Sequence, residues 1–420
     1  MFGPLRIVLA RIVRDGQLTV IDADGRTWEF GTGRGPAVSI RLADKATERA
    51  LARDPKLALG EAYVDGRLEV IEGCLCDLVA LLIRGVEAFA LPAWVRSIDS
   101  LRKGLRRIWQ YNPASRARRN VAHHYDIDGS IYDLFLDADR QYSCAYYAPP
   151  CEQSRDLDEA QRLKKQHIAA KLALAPGHRV LDIGCGWGGL GLYLAQIGDA
   201  HVTGVTLSSE QLAVARQRAA AAGLDRAVEF DLVDYRAVEG KFDRVVSIGM
   251  FEHVGINHYR AFFDKVRALL TDDGVALIHT IGRSDGPGFT NPFIAKYIFP
   301  GGYFPALSEV LPAIERAGLI VTDVEVLRLH YADTLKAWRE RFAANRDRAV
   351  ALRGEAFARM WEFYLAGSEA AFRHQGLVVF QIQLARRIDA LPITRDYIAT
   401  AERELELRER APGPQRMAGE

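Results

Sequence analysis

Residues 180–189 read Val-Leu-Asp-Ile-Gly-Cys-Gly-Trp-Gly-Gly, and this stretch decides the fold. An aliphatic run over 179–183 carries Asp182 next to its end; Gly184, Gly186 and Gly188 then alternate with Cys185 and Trp187, and Gly189 follows. A short apolar run closed by glycines reads as a buried strand. Glycines at a strand-to-helix turn let the backbone bend sharply and come close to a ligand. Outward from this point, a helix runs through residue 197, and strands at 202–205, 228–232, 242–248 and 275–280 alternate with helices at 210–222 and 259–270. That alternation predicts an α/β fold with a doubly wound, mainly parallel sheet. Residues 284–305, rich in glycine, proline and aromatics, break the rhythm as an inserted lid. A helix at 307–317, a strand at 319–327, helices at 334–348 and 357–372, and a last strand at 376–385 complete the unit.

Glycines alone do not name the ligand, because Gly184, Gly186 and Gly189 also fit the dinucleotide spacing G-x-G-x-x-G. Two other residues separate the readings. Asp182, immediately before the loop, suits a carboxylate facing the ammonium of a methionine-derived cofactor. Thr206 ends the second strand of this unit, where a dinucleotide enzyme carries its ribose-binding acid. S-adenosylmethionine (SAM) is therefore the expected cofactor, and a class I SAM-methyltransferase the expected fold.

The 420-residue chain has room for a second, smaller unit, and its net charge of +1 gives no global field that would select nucleic acid. Five cysteines, at 74, 76, 144, 151 and 185, show no zinc-ligand spacing, and His123 and His124 are adjacent, so their side chains diverge; no metal is expected. No run of about 18 apolar residues occurs, which favours a cytoplasmic protein over a spanning one. Residues 1–92 read as a small N-terminal α/β unit. It has hairpin strands at 18–21 and 27–30 about Asp24-Gly25, a helix at 43–59, turns over 60–68 and an apolar helix at 76–89. Residues 93–120 form a basic linker helix: Arg96, Arg102, Lys103, Arg106 and Arg107 flank Leu101, Leu105, Ile108 and Trp109. Two readings stay open there, a solvated linker and an amphipathic helix resting on anionic lipid. The catalytic unit spans 121–400, and the polar tail 401–420 is expected to fray.

Eight segments, taken in order, make a family resemblance specific. They are H-H-Y-D at 123–126, Y-S-C-A-Y at 142–146, L-D-I-G-C-G-W-G at 181–188, G-V-T-L-S-x-E-Q at 204–211, D-Y-R at 234–236, G-M-F-E-H-V-G at 249–255, H-T-I-G at 279–282 and H-Y-A-D-T-L-x-A-W at 330–338. The chain resembles the cyclopropane-fatty-acyl-phospholipid synthase family over nearly its whole length. The resemblance implies that SAM is surrounded by Tyr142, Ser143, Asp182, Gly184, Cys185, Gly186, Trp187, Gly188, Gly189, Thr206, Leu207, Gln211, Tyr235 and Arg236. On this reading the Thr206 hydroxyl and Gln211 amide replace the ribose-binding acid. It also implies a bicarbonate ion held by Cys144, Glu252, His279, Ile281 and Tyr331, with Cys144 and Ile281 offering mainly backbone groups.

The family reaction adds a methylene across a cis double bond of an unsaturated acyl chain in a membrane phospholipid. Methyl transfer leaves a cation in the chain, which aromatic faces such as Tyr146, Tyr147, Phe251 and Phe304 can stabilise. A base must then take a proton from the new methyl so that the ring closes. Bicarbonate has one hydroxyl hydrogen, which an ionised Glu252 can accept, and oxygens to which Tyr331 and His279 can donate. Where some relatives carry a cysteine, this chain has Ser368, which disfavours a covalent cysteine route. The resemblance further implies a homodimer bound peripherally to the anionic membrane surface. The alternatives are a methyl- or methylene-branched product and methylation of a small polar acceptor.

Overall fold

In a computed structural model, the described residues are 1–89, 91–110, 129–149 and 156–410. Two sheets organise them. The first is four-stranded, in the order β2-β1-β3-β4, formed by β1 (Gln17–Ile21), β2 (Thr27–Gly31), β3 (Ala37–Leu42) and β4 (Leu68–Glu72). The second is seven-stranded, in the order β10-β11-β9-β8-β5-β6-β7.

The strands of the larger sheet are β5 (Arg179–Ile183), β6 (His201–Thr206), β7 (Val228–Leu232), β8 (Phe242–Ile248), β9 (Leu270–Arg283), β10 (Ile320–Val326) and β11 (Leu377–Ala385). From β7 across to β9 every neighbouring pair is parallel, whereas β11 runs antiparallel to both β9 and β10. The expected doubly wound, mainly parallel sheet is present. The strand order reverses between β5 and β8, where the ends of two crossovers leave a crevice for a ligand. β5 is buried at Val180, Leu181, Asp182 and Ile183 because helices cover both faces of the sheet, so it reads as a continuous apolar run rather than an alternating one.

Several elements differ from expectation. The start of the chain forms a helix, Gly3–Ile12, that buries Leu5, Val8, Leu9 and Ile12 in the small unit's core. The helix expected at 43–59 is two, Lys45–Arg53 and Pro55–Val64, because Pro55 cannot donate and restarts the chain as a first-turn residue. The turns expected over 60–68 are thus mostly the second of these helices. Nor do residues 401–410 fray: the helix Asp396–Arg410 buries Ile398 and Leu405 and packs on the helix Leu157–Lys171, and the rest of the expected tail, 411–420, lies outside the described residues. Its polar composition hid this docking, which rests on ion pairs such as His167–Glu402 and Arg162–Glu409.

The linker also takes a more definite form. The helix Ala93–Trp109 holds two of its cations against protein: Arg102 makes two bonds to Asp54, at 3.1 and 2.5 Å, and Arg106 lies 3.4 Å from Glu309. Its acid Asp99 takes Lys56 at 2.8 Å. Trp94, Leu101 and Ile108, spaced by seven, remain exposed at 42%, 62% and 67%. Among the described residues no single helix is long and apolar enough to cross a membrane.

Candidate active site

The carboxyl ends of β5, β6, β7 and β8 open into one cavity, and every residue expected around the cofactor lines it except Gly188. Gly188 turns the chain at φ 82° with its α-carbon against the core; a Cβ there would lie 2.7 Å from Phe230 Cζ. That close packing accounts for a glycine at this position. Gly189 serves a different approach, since a Cβ would stand 2.4 Å from Gln141 Nε2 and 2.5 Å from Asp139 Oδ2. The loop before Tyr142 therefore folds directly over the glycine turn, with Asp139 held by Lys165 at 2.5 Å and also paired to Arg218.

The polar groups of this cavity are sorted by their partners. Thr206 Oγ1 donates to Gln211 Oε1 at 3.0 Å, which turns the Gln211 amide hydrogens free for a ribose. Ser208 caps the helix that carries Gln211, accepting from the Gln211 backbone at 3.3 Å. Arg236 is locked on Asp234 by bonds of 2.8 and 2.7 Å. Tyr142 shares a 2.9 Å hydroxyl contact with Tyr364. Asp182 is 1% exposed and its Oδ2 has no hydrogen-bond partner. Burial pushes the Asp182 carboxyl up to about 7, with nearby Lys164 pulling it back.

A second cavity of about 40 Å³ adjoins the first, sharing Tyr142, Ser143, Gly249 and His253. All five residues expected around bicarbonate line it: Cys144, Glu252, His279, Ile281 and Tyr331. Glu252 Oε1 accepts from the Ile281 backbone at 2.7 Å, while Oε2 has no hydrogen-bond partner. Burial raises the Glu252 carboxyl to about 7, opposed by the Ile281 N–H. His279 faces Gln381 Nε2 at 3.3 Å through Nδ1, and its Nε2 has no hydrogen-bond partner. With an amide N–H on Nδ1, that nitrogen is the acceptor and the ring proton sits on Nε2. Burial, aided by Lys164, lowers the imidazole to about 3, so it stays neutral. The Cys144 thiol is buried and pushed far above its usual range by desolvation, which leaves it protonated and a poor nucleophile.

These features fit a small oxyanion. On a scale where one water needs ~10–15 Å³, the cavity has room for an ion of a few heavy atoms. It presents one neutral N–H donor and one carboxylate oxygen, both buried and both short of a partner.

A third, larger cavity of about 460 Å³ meets the second at Ile281, Phe299, Phe304 and Tyr331. Its far wall comes from the small unit, including Leu9, Ile12, Leu78 and Leu82. The expected lid at 284–305 is part of this wall: Phe293 is buried against Phe363, and Tyr297 and Lys296 hold Glu61 at 2.8 and 2.7 Å. Ser368 lines the same space.

Of the four aromatics expected near the reacting carbons, only Phe304 lines the small cavity. Tyr146 is sandwiched between His167 and His330, with ring centres 4.1 and 5.0 Å apart, and Phe251 stacks on Tyr259 in the core. The Tyr147 backbone N–H donates to His330 Nδ1 at 2.9 Å. Tyr142, Phe299 and Tyr331 supply the aromatic surface instead. Sequence reading missed Lys164, Gln141, Asp234 and His253, all of which line the cofactor cavity. Lys164 carried a signal: Leu157, Ala160, Lys164 and Ile168 form one helical stripe, so a cation stands at a core position. The H-H-Y-D segment at 123–126 lies outside the described residues.

A seven-stranded sheet with one reversed strand, a glycine turn at its switch point and a cavity there define a SAM-dependent methyltransferase. The mycolic acid cyclopropane synthetase family matches residues 113–382, and a domain of unknown function matches residues 8–91. The chain belongs to the mycolic acid cyclopropane synthetase family. It is 37% identical to the tuberculostearic acid methyltransferase UfaA1 of Mycobacterium tuberculosis, with 90% of each chain covered. It is 36% identical to the cyclopropane-fatty-acyl-phospholipid synthase of Escherichia coli K12, over 85% of this chain and 90% of that one. Among solved structures it resembles the mycolic acid cyclopropane synthase CmaA1 complexed with SAH and CTAB, at 35% identity and a TM-score of 0.60, covering 66% of this chain and 99% of that one. The protein is thus a SAM-dependent enzyme that modifies fatty acyl chains.

Proposed function

We propose that this enzyme converts a cis double bond in a membrane phospholipid to a cyclopropane ring, with bicarbonate as the base. The observation that carries this reading is the run of three adjoining cavities: a polar one at the glycine turn, a small one with Glu252 and His279, and a long apolar one. An acyl chain in the apolar cavity would place a double bond beside Ile281 and Phe304, next to the small cavity. SAM in the polar cavity supplies an electrophilic methyl. The alkene electron pair forms the new C–C bond as the C–S bond breaks, leaving a cation on the neighbouring carbon.

Bicarbonate, when bound, supplies a base small enough to sit beside the new methyl. Glu252, as a carboxylate, accepts its hydroxyl hydrogen, and the neutral His279 Nε2–H donates to an oxygen. His279 and Cys144 then do not compete for the cation, because His279 offers an N–H and Cys144 remains a thiol. Loss of the methyl proton returns its C–H electron pair to the cation and closes the ring. Phe299, Phe304 and Tyr331 exclude water that would trap the cation.

A membrane contact through the helix Ala93–Trp109 is part of this proposal. Its exposed Trp94, Leu101 and Ile108 make an apolar ridge, and Lys103 stands at the rim of the apolar cavity. A ridge of this kind beside the cavity would let a chain leave the bilayer without crossing water.

Purified enzyme, SAM and vesicles of cis-monounsaturated phospholipid should yield acyl chains heavier by one CH2. Because a methylene branch has the same mass, proton NMR of the released chains decides between them. Upfield ring protons support cyclopropanation, and vinylidene protons with no ring signal would show a branching methyltransferase.

A further inference from the structure

Three cations and two acids line the cofactor cavity, and all but two of these charges are already compensated. Arg140 is held by Asp133 at 2.6 and 2.7 Å, and Arg236 is held by Asp234. Lys164 is different. It is 1% exposed, and its ammonium donates to two neutral oxygens, Gln141 Oε1 and Ser143 Oγ, each at 2.8 Å. Asp182 is the one lining acid without an ion pair, and its Oδ2 has no hydrogen-bond partner. The cavity therefore offers one open cation and one open anion, the complement of an α-amino acid zwitterion.

The direction of the Lys164–Ser143 bond adds a second fact. An ammonium only donates, so Ser143 Oγ is the acceptor and its hydroxyl hydrogen is left to point elsewhere. Lys164 also keeps one of its three hydrogens. Of the other charges near it, Asp137 pulls on the ammonium through space without being one of its hydrogen-bond acceptors. Asp139 is taken by Lys165 and Arg218, and Asp137 accepts backbone N–H bonds from Asp139 and Gln141 at 3.1 and 2.8 Å.

Resting on the assignment of this cavity to SAM, we propose that Lys164 and the Ser143 hydroxyl bind the α-carboxylate of its amino-acid end. Asp182, which lines the same cavity, takes the ammonium. Lys164 thus discriminates for a carboxylate-bearing cofactor, and Gln141 fixes it by accepting a second hydrogen. Desolvation brings the Lys164 ammonium down to about 8, against the pull of Asp137, so it is charged at neutral pH and discharges in mild alkali.

Calorimetric binding of S-adenosylhomocysteine and of its decarboxylated analogue tests this without turnover. Lys164→Met should weaken S-adenosylhomocysteine about 10- to 100-fold, the range for a lost charge-assisted hydrogen bond. The analogue should change by less than about 3-fold. Ser143→Ala, a smaller excision, should cost about 10-fold on the carboxylate ligand alone. In the unmutated enzyme, affinity for S-adenosylhomocysteine should fall above pH about 8 while that for the analogue does not. Equal losses for both ligands, or none for either, would overturn the assignment. Should Lys164→Met not fold, the Ser143→Ala and pH results decide. An unmutated enzyme that binds neither ligand would instead refute the cofactor cavity itself.

Discussion

At the scale of single residues, Glu252 is the most demanding position in the molecule. In the proposed mechanism its carboxyl has to be ionised to accept a hydrogen, yet burial raises it to about 7. Protonated below that value and charged above it, Glu252 predicts a kcat that rises through pH about 7 to a plateau. Glu252→Gln should bind S-adenosylhomocysteine within about 3-fold of the unmutated enzyme and lose kcat by about 100-fold or more, the usual scale for a group that acts on a proton transfer. Unchanged turnover in lipid assays would remove Glu252 from the chemistry. Asp182, also near 7, is expected to show in cofactor affinity rather than in kcat, so the two titrations are separable. These two acids were legible in sequence because each follows or ends an apolar strand. The tautomer of His279 was not, since it depends on Gln381, a residue more than a hundred positions away on β11.

At the scale of elements, the two helices that sequence reading placed least well are the most informative. The helix Ala93–Trp109 spends Arg102 and Arg106 on Asp54 and Glu309. Replacing those arginines would therefore loosen the protein as well as any lipid contact. Leu101→Glu with Ile108→Glu is the cleaner change: vesicle flotation at low salt should fall several-fold, with thermal stability shifted by less than about 0.5 kcal/mol for such exposed sites. Unchanged flotation would leave this helix a plain linker.

The C-terminal helix Asp396–Arg410 is tied down by His167, whose two ring nitrogens meet Glu402 at 2.6 Å and Glu325 at 2.8 Å. Burial alone would lower this imidazole, but the hydrogen bonds to Glu325 and Glu402 outweigh it and hold the value above the usual 6.5. A raised value in the folded state means the stabilisation is complete below about 6.5 and lost as pH rises through the folded value. Thermal melts should accordingly decline across that alkaline window, and His167→Gln should flatten the profile; an unaltered profile would exclude His167 as its source. The docking was invisible in a tail made almost entirely of polar residues, because its affinity comes from charges whose partners lie far away in the chain.

At the scale of the whole molecule, the seam between the small unit and the catalytic sheet is tight at Gly60. A Cβ there would lie 2.3 Å from Phe293 and 2.7 Å from Phe363. Gly60→Val should push Phe293 aside at a cost of about 1–3 kcal/mol, the range for overpacking a core, and should impair lipid turnover more than S-adenosylhomocysteine binding. Equal loss of both would mean that the seam supports the cofactor site as well. The parallel sheet was plain from strand and helix rhythm, and the glycine turn from its spacing. The seam was not, because it joins residues hundreds of positions apart through shape alone.

That seam gives the apolar cavity walls of two separate origins: the catalytic unit sets the chemistry at one end, and residues 1–91 close the other. Reach and reaction are therefore held by different genes' worth of sequence within one chain. On the proposed reading, substitutions at Leu9, Ile12, Leu78 or Leu82 would alter the length of acyl chain accepted, at the end of the cavity remote from Glu252. On that reading, substrate length and chemistry would answer to substitutions in different parts of the chain.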